Sequence, residues 1–347
     1  MVPRVHIVIL NWNGWKDTIE CLESVMRHHY DNFQVIVCDN HSQDGSLEKI
    51  QDWAAGHLES QVPSDHPLAK LSQPAVAKPL AWVRLSRAQA EGTPEAAWSK
   101  FPMILIETGG NLGFAGGNNV GMRYALKSAQ CDYVWLLNND TVIEATTLSE
   151  MVAHSERLRA QGKQNTCGSL VCFYDDPTVI QALGGSQFNR KTGIATQTLG
   201  RFKKRTETIE HAAIAASLDY ITACSWLVPR KFLDEVGLME ESYFLYYEEI
   251  DWTTRAGDKW LLTYCPSAPV YHKEGNSIGS KSIGKTASPK SEYFMAQAKL
   301  RFMRNFYPEH LLRTKMVSVM QALNRFRQGL PSNAYAIIRA VWNSQKA

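Results

Sequence analysis

The residues best suited to chemistry lie in one short stretch, residues 243–255, with the sequence YFLYYEEIDWTTR. Three tyrosines come first, Glu248, Glu249 and Asp251 follow them, and Arg255 ends the stretch. If a helix opens here, Asp251 and Arg255 share one face and can pair, while Glu248 or Glu249 projects from the helix start toward a cleft. A carboxylate held there can take a proton from a hydroxyl, although acids at a helix start also complement its dipole without doing chemistry.

Polar residues follow two apolar runs in the amino-terminal third of the chain. Residues 5–10 and 33–38 have the composition of buried parallel strands, and residues 17–29 between them have a helical pattern. The carboxyl ends of such strands line one crevice, where ligands bind. The side chains expected there are those of Asn11, Asn13, Asp39, Asn40 and Asp44.

A nucleotide suits the polarity of this crevice. Asp39 can accept a hydrogen bond from a base imide or a ribose hydroxyl, and the turn at Asp44 can present backbone N–H groups at the next helix start. Asn-Gly and Asp-Gly pairs are also ordinary turn sequences, so either turn alone indicates no function.

A glycine-rich segment spans residues 109–121 and precedes a helical pattern from Met122 to Ser128. Its six glycines in thirteen positions predict a loop whose backbone approaches a ligand closely. The segment lacks the Gly-Lys-Ser/Thr ending of a P-loop and the Gly-x-Gly-x-x-Gly of a dinucleotide-binding fold, so both classes are disfavoured.

A third apolar run, residues 133–137, ends in Asn138, Asn139 and Asp140. One carboxylate with flanking amides suits a hard divalent cation, because Mg²⁺ or Mn²⁺ takes one or two carboxylates and completes its shell with phosphate oxygens and water. The alternative is that the triplet caps a helix beginning near Glu144.

Together, in this order, these segments resemble the family 2 glycosyltransferases, the large inverting group of the GT-A fold, and especially its bacterial rhamnosyltransferase-like branch. The matching motifs lie at residues 11–13, 39–46, 111–121, 137–140 and 246–255. Residues 237–244 and Val270 to His272, with Gly275 and Ser277 behind them, add to the match, which covers about residues 5–306. The resemblance implies an α/β GT-A fold, in which one nucleotide-binding domain with a mainly parallel central sheet is followed by a C-terminal helical extension.

The resemblance also implies donor-binding roles. It makes Asp39 the base or ribose contact, places Asn11 and Asn13 in the wall of the nucleotide pocket, and directs Asn118 to the donor. The remaining members of this predicted set are Asn40, Asp44, Gly116 and Asn138.

Metal and catalytic roles follow in the same way. Asp140 corresponds to the last acid of the family's Asp-x-Asp metal triplet, and His272 matches a histidine that completes the metal shell in several relatives. As an alternative, His272 at the end of an apolar strand is a hydrogen-bonded core residue. Glu249 occupies the place of the catalytic base, with Glu248 beside it, and the choice between them stays open. Residues assigned to structural support or the acceptor side are Asp251, Arg255, Trp226 and Tyr246.

Two residues depart from the family pattern. Asn138 replaces the first acid of the metal triplet, which leaves one charged ligand there and predicts weak metal affinity. Glu249 stands where the family usually has Asp, so the base is longer by one methylene.

The resemblance implies an inverting, metal-dependent hexosyltransferase that uses Mg²⁺ or Mn²⁺. It would move a sugar, with rhamnose among the candidates, from a UDP- or dTDP-sugar to a hydroxyl of a glycan or lipid-linked acceptor in cell-surface polysaccharide synthesis. A sugar-1-phosphate nucleotidyltransferase is one alternative, but it should have an early basic glycine-rich loop, which does not follow Asn11. A non-catalytic nucleotide- or glycan-binding relative is the other, but it should have lost the acids that this chain keeps.

Length and composition agree with an intracellular enzyme. The 347 residues are 44% hydrophobic, and we expect a catalytic domain over residues 1–289, with an insertion at about 54–102, and a helical extension over 290–347. The seven cysteines form no Cys-x-x-Cys pair, which favours reduced thiols over a disulfide framework or a zinc site. No signal peptide or spanning apolar run is visible, so a cytoplasmic location is predicted.

The extension is strongly basic. It carries a formal charge of +8, so the rest of the chain carries −5 within a total of +3. Apolar residues are spaced among its charges with helical periodicity, which predicts a basic amphipathic helix that lies on an anionic membrane surface. Packing against the catalytic domain, or against a second subunit in a homodimer, is the alternative, and no motif for nucleic-acid binding accompanies the charges.

Overall fold

A ten-stranded mixed sheet forms the centre of the protein, and a separate three-stranded sheet lies beside it. The computed structural model describes residues 2–93, 95–273 and 286–343. The strands are β1 (Val5–Asn11), β2 (Phe33–Asp39), β3 (Trp82–Ser86), β4 (Met103–Glu107), β5 (Tyr133–Asn138), β6 (Thr141–Ile143), β7 (Asn165–Phe173), β8 (Ile180–Leu183), β9 (Gly185–Asn189), β10 (Ile194–Thr198), β11 (Tyr220–Ile221), β12 (Ser225–Pro229) and β13 (Leu261–His272).

Helices connect these strands and form the carboxyl-terminal end of the described chain. They are α1 (Trp15–Val25), α2 (Ser46–Ala55), α3 (Ala69–Ser72), α4 (Arg87–Glu91), α5 (Gly113–Lys127), α6 (Thr147–Ala160), α7 (His211–Ala216), α8 (Arg230–Val236), α9 (Glu248–Ala256), α10 (Pro289–Phe306), α11 (Leu311–Arg327) and α12 (Pro331–Asn343). Short 3-10 helices lie at Ala96–Lys100, Gly257–Lys259 and Pro308–His310.

The large sheet has a parallel half and a mixed half. Strands β3, β4, β2, β1 and β5 lie side by side and run parallel, whereas β12 pairs antiparallel with both β5 and β7. The parallel half aligns the carboxyl ends of β1, β2 and β5, since Asn11 is paired with Asp39 and Leu10 with Asn138. This register brings the predicted polar residues to one edge of the sheet.

Both faces of the parallel half are buried, which explains its continuous apolar runs. Ile7 and Ile9 of β1 pack on one side with α1, α2 and α6, while Val8 packs on the other side with α5, α8 and α9. The predicted α/β fold class is confirmed, with helices on both faces of a sheet that is mostly parallel.

Several predicted boundaries differ from the structure. The helix expected over residues 17–29 is Trp15–Val25, and a short strand, Thr141–Ile143, precedes α6. Thr146 is the N-cap residue of α6, so the triplet that ends in Asp140 does not cap that helix. Within the expected insertion, Trp82–Ser86 forms an edge strand of the main sheet.

The C-terminal helices pack against the rest of the chain through α10. Phe302 contacts Phe188 of β9 and Tyr247, with ring centroids 5.3 and 5.8 Å apart respectively. Helix α12 packs on both α10 and α11. Among the described residues, no helix combines the length and the hydropathy that crossing a bilayer requires. All seven cysteines lie in the described part of the chain and are buried and unbridged.

Candidate active site

The carboxyl ends of β1 and β2 bring together the residues predicted to bind the nucleotide, Asn11, Asn13, Asp39, Asn40 and Asp44, and we call this group the nucleotide crevice. Asp39 is 6% exposed, and its two carboxylate oxygens accept hydrogen bonds from Asn11 Nδ2 (2.8 Å) and Ser42 N (3.0 Å). Asn11 is fully buried behind it, and its own oxygen accepts from Thr18 Oγ1. Asn11 is thus placed to orient the Asp39 carboxylate and does not itself reach the surface of the crevice.

The turns after these strands support the crevice from its outer side. Asn13 is exposed and has φ +51°, and its side-chain oxygen accepts from Gln43 N at 2.7 Å. The Asp44 carboxylate accepts from Ser46 N at 3.0 Å, at the start of α2. Asn40 is buried and donates to Gly113 O at 3.1 Å, which ties β2 to the beginning of α5.

The glycine-rich segment is mainly helix, contrary to the loop expected over residues 109–121. Helix α5 begins at Gly113, and a side chain at Gly117 would come within 2.4 Å of Leu10, or at Gly121 within 2.7 Å of Val8. These glycines therefore let α5 pack closely on β1, and they do not bring backbone to a ligand.

Two donor-side residues predicted on α5 are also buried. Asn118 is 2% exposed, and its amide donates to Phe114 O one turn earlier. A β-carbon at Gly116 would come within 2.8 Å of the Leu112 side chain. Neither residue joins the hydrogen-bonded residues of the nucleotide crevice, so their donor roles stay predictions.

Asp140 and His272 come together as a candidate metal pair. Asp140 is 7% exposed, and its Oδ1 lies 3.2 Å from His272 Nε2, an ion-pair distance at which no hydrogen bond of good geometry forms. Burial alone would raise the pKa of Asp140, but the charges of His272 and Lys273 hold that pKa below its ordinary value. Asn138, at the end of β5, is the half-buried neighbour of this pair in the sequence.

Gln181 of β8 orients the imidazole, and sequence reasoning missed it. Its amide oxygen lies 3.0 Å from His272 Nδ1, an arrangement in which Nδ1 carries the proton and Nε2 directs a lone pair toward Asp140. A lone pair facing a carboxylate oxygen needs a positive charge between them, either a second proton or a cation. The pair therefore fits a divalent cation, although the described residues contain no group of three or more candidate ligands.

Lys273, directly after His272, is a second residue that the motifs did not reveal. Its ammonium contacts Asp17 (2.6 Å) and Glu20 (2.5 Å) of α1, and its backbone N–H donates to Asp140 O. These contacts fix the end of β13 against the amino-terminal helix. The matched residues Gly275 and Ser277 lie outside the described residues.

Glu248 and Glu249 begin α9 and differ in what surrounds them. Glu248 is 2% exposed, and its Oε2 has no hydrogen-bond partner among the described residues. Burial, then the charge of Glu249, raises the pKa of Glu248 well above its ordinary value. Glu249 is half-buried, and burial raises its pKa as well.

A cavity of about 610 Å³ distinguishes the two candidate bases, because only one of them lines it. Glu249 and His272 both line it, together with residues of the three-stranded sheet and of α10, whereas Glu248 does not. We call this space the central cavity. Glu249, unlike Glu248, therefore borders a space that a substrate can occupy.

The backbone before α9 is unusual. Tyr246 and Tyr247 have φ values of 70° and 71°, a left-handed region that bulky residues seldom adopt. Their hydroxyls are both engaged, because Tyr246 contacts Ser291 Oγ of α10 at 2.6 Å and Tyr247 donates to Gly193 O. These two contacts hold the turn that starts the helix of the candidate bases.

The remaining predicted residues have structural positions. Arg255 Nε donates to Asp251 Oδ1 at 2.6 Å, and the guanidinium also donates to the Val236 and Leu238 carbonyls. Trp226 of β12 is fully buried and packs on Trp252 of α9, with ring centroids 4.9 Å apart. Trp226 therefore belongs to the hydrophobic core.

Comparison with known proteins identifies the chain. Residues 6–64, which include β2, all of β1 except Val5, and all five residues of the nucleotide crevice, match the family model "Glycosyl transferase family 2". Over these residues the chain is similar to the family 2 glycosyltransferases, in agreement with the resemblance of its motifs. An N-acetylglucosaminyl-diphospho-decaprenol L-rhamnosyltransferase of Mycobacterium tuberculosis is 27% identical over 244 residues, which cover 65% of this chain and 77% of the relative.

A second curated relative and one solved structure are also similar to this chain. The low-salt glycan biosynthesis hexosyltransferase Agl10 of Haloferax volcanii is 26% identical over 161 residues, covering 44% of this chain and 45% of Agl10. The crystal structure of GalNAc-T7 with UDP, GalNAc and Mn²⁺ has a TM-score of 0.54 at 13% identity. It covers 92% of this glycosyltransferase, which spans about half (51%) of the GalNAc-T7 chain, and it supports the predicted GT-A fold.

The family match and these relatives support glycosyl transfer in glycan biosynthesis. The same relatives disfavour the nucleotidyltransferase alternative, because the two curated ones transfer sugars.

Proposed function

We propose that this glycosyltransferase inverts the anomeric carbon of a sugar that it moves from a UDP- or dTDP-sugar, with a divalent cation, to a hydroxyl of a lipid-linked glycan. One observation carries the proposal: Glu249 and His272 line the same cavity, and His272 faces the buried oxygen of Asp140. The proposed base and one member of the metal pair, His272, thus border one space. The lipid-linked acceptor, and rhamnose as the sugar, come from the mycobacterial relative.

The residues divide the reaction between them. Asp39 binds the nucleoside, and Asn11 and Ser42 hold its carboxylate in place. Asp140 and His272 would hold Mg²⁺ or Mn²⁺, and the cation would supply positive charge to stabilise the leaving diphosphate. Glu249 takes the proton from the acceptor hydroxyl, whose oxygen attacks the anomeric carbon opposite the leaving diphosphate. The new bond forms as the sugar–phosphate bond breaks, so the configuration inverts.

A screen of nucleotide sugars tests the activity. Thermal shifts with UDP- and dTDP-sugars, with and without Mn²⁺, should identify a donor that stabilises the protein in a metal-dependent way. Transfer of that sugar to a diphosphate-linked acceptor, followed by NMR of the product, should then show inverted configuration. Retained configuration would contradict the role of Glu249, and full activity in excess chelator would contradict the metal.

Asp140→Ala tests the metal pair directly. Because Asp140 is the one acid of the pair, its loss should abolish metal-dependent stabilisation by nucleoside diphosphate and reduce transfer below detection. Asp17→Asn is a suitable control, since Asp17 contacts Lys273 and not the cation position. An Asp140→Ala protein that keeps transfer would remove the pair from the mechanism.

A membrane surface is the partner we propose for the extension. Helix α11 exposes an apolar stripe at intervals of three or four residues, with 37–72% of each residue accessible, made of Leu312, Met316, Val319, Met320, Leu323 and Phe326. Arg313 and Lys315 flank the stripe, and residues 311–343 contain no Asp or Glu. An apolar face with basic flanks suits an anionic lipid surface, where a lipid-linked acceptor resides.

Vesicle binding distinguishes this surface from a contact between two copies. Met320→Glu with Phe326→Glu should reduce sedimentation with anionic vesicles, while Asn324→Glu, off the stripe on the same helix, should have a small effect. Equal binding by all forms would contradict the membrane proposal. A wild-type dimer that Met320→Glu dissociates would assign the stripe to a second copy of the chain.

A further inference from the structure

The central cavity continues from the candidate base toward the extension. Beyond Glu249, its wall is made by Ser291, Met295 and Lys299 of α10 and by Gln321 and Arg325 of α11. Its volume of about 610 Å³ lies within the range of small-molecule sites, about 300–1,000 Å³. The extension therefore closes one end of the space where the acceptor hydroxyl must meet Glu249.

Lys299 is the unusual residue of this wall. It is 3% exposed, and its ammonium donates to the Gln321 amide oxygen at 2.7 Å. The nearby acid, Glu292, is already engaged by Arg325 Nε at 2.6 Å. Within the described part of the chain, Lys299 has no carboxylate at ion-pair distance.

A buried ammonium without a counterion is costly, so its presence needs a reason. Burial lowers the pKa of Lys299 to about 8, although the Glu292 charge opposes this shift. An anion in the cavity would supply the missing partner and keep the lysine charged. A phosphate oxygen is the ligand that a compact ammonium binds well as a point charge.

We infer that Lys299 binds a phosphate group of the acceptor in the central cavity, so the acceptor is a glycan attached through phosphate or diphosphate. The inference rests on the proposed function for the role of Glu249. It adds that the extension contributes directly to acceptor choice.

The position of Lys299 favours the acceptor phosphate over that of the donor. Lys299 packs beside Gly193 and Gln321, on the side of the three-stranded sheet and α11. Asn11, Asp39 and Asp44 of the nucleotide crevice are not part of the cavity wall among the described residues. A donor diphosphate is expected between that crevice and the metal pair, so Lys299 faces a second group.

Calorimetric titration with octyl diphosphate tests the inference, with the full chain held in saturating UDP or dTDP and Mg²⁺ so that the donor site is filled. Octyl glucoside, with the same alkyl chain and no charge, is the ligand control. Lys299→Met should weaken octyl diphosphate binding about 10- to 100-fold, the range expected for one hydrogen bond to a charged group. Lys299→Arg should restore binding to within a few-fold, and Lys163→Met, at an exposed lysine far along the chain, should change nothing.

Three results would overturn the inference: equal binding by wild type and Lys299→Met, equal losses in Lys299→Met and Lys299→Arg, or displacement of octyl diphosphate by the nucleotide. The last would assign the phosphate to the donor. Failure of the proposed function has a different signature, because no nucleoside diphosphate would then bind. In that case the titration without nucleotide still compares wild type with Lys299→Met.

Discussion

The nucleotide crevice and the neighbourhood of the base satisfy their polar groups in opposite ways. In the crevice, Asn11, Asp39 and Ser42 hydrogen-bond to one another. Around the base, Glu248 Oε2 and Asp140 Oδ1 are buried without a hydrogen bond to the described residues, and two tyrosines have positive φ. The crevice residues are thus held by one another, whereas two buried acids near the candidate base each keep an oxygen that no described residue satisfies.

The largest expected effect concerns the base itself. Glu249→Gln should reduce transfer at saturating donor by about 10² to 10⁴, the usual contribution of a general base, while donor and metal binding remain, because the amide is nearly isosteric. Glu248→Gln should cost much less, since Glu248 does not reach the cavity. A collapse in Glu248→Gln with a near-normal Glu249→Gln would move the base by one residue and reverse the comparison.

Asp39→Ala tests the nucleotide crevice, in which the polar groups hydrogen-bond to one another. Loss of a carboxylate that contacts the nucleoside should weaken nucleoside diphosphate binding about 10- to 100-fold, as for a hydrogen bond to a charged group. Asn11 and Ser42 would lose a partner too, so Asp39→Asn serves as the control that keeps part of the network. Wild-type affinity in Asp39→Ala, measured by calorimetry, would show that the nucleoside binds elsewhere.

The pH dependence of transfer should report the raised pKa of Glu249. A general base works when deprotonated, so the rate should fall about tenfold per pH unit below the pKa. Because burial raises this pKa, the fall should begin above the pH range of an ordinary glutamate. This fall in rate at low pH should be absent from the residual activity of Glu249→Gln. If the fall persists in that variant, another group is responsible for it.

The smallest effect is on stability and concerns Glu248. Its folded pKa is raised, so the folded state binds more protons than the unfolded state between the unfolded and folded pKa values, and stability falls as pH rises through that window. Glu248→Gln removes this cost and should stabilise the protein at pH 8 by about 1–3 kcal/mol. The gain should shrink toward pH 4. Thermal unfolding of both proteins at several pH values measures it, and a constant difference would indicate another cause.

The strands were predictable because burial on both faces leaves a plain apolar signature. Residues 5–10, 33–38 and 133–137 all lie in parallel strands, and the polar residues after them meet at one sheet edge. This part of the site can be predicted from where each strand ends and from the parallel arrangement of the strands. The apolar runs in the sequence indicate both.

The glycine-rich segment was mistaken for a loop because glycine has two uses. Six glycines suggested freedom of the backbone, but Gly117 and Gly121 are small so that a helix can approach Leu10 and Val8. Distance to a neighbouring strand is a tertiary property, which composition does not contain. Gln181 and Lys299 could not be predicted for the same reason. Gln181 acts through His272, 91 residues away, and Lys299 contacts Gln321, 22 residues away.

The hydroxyl contacts of Tyr246 and Tyr247 bear on how this enzyme can be recombined. The extension begins at a helix boundary, yet Ser291 on its first helix meets the turn that aims Glu249. A chimera that joins this catalytic unit to the helices of another glycosyltransferase would lose that contact unless Tyr246 and Ser291 both come from the same parent protein. To change the acceptor preference by exchanging helices, the turn at Tyr246 must therefore be exchanged together with α10.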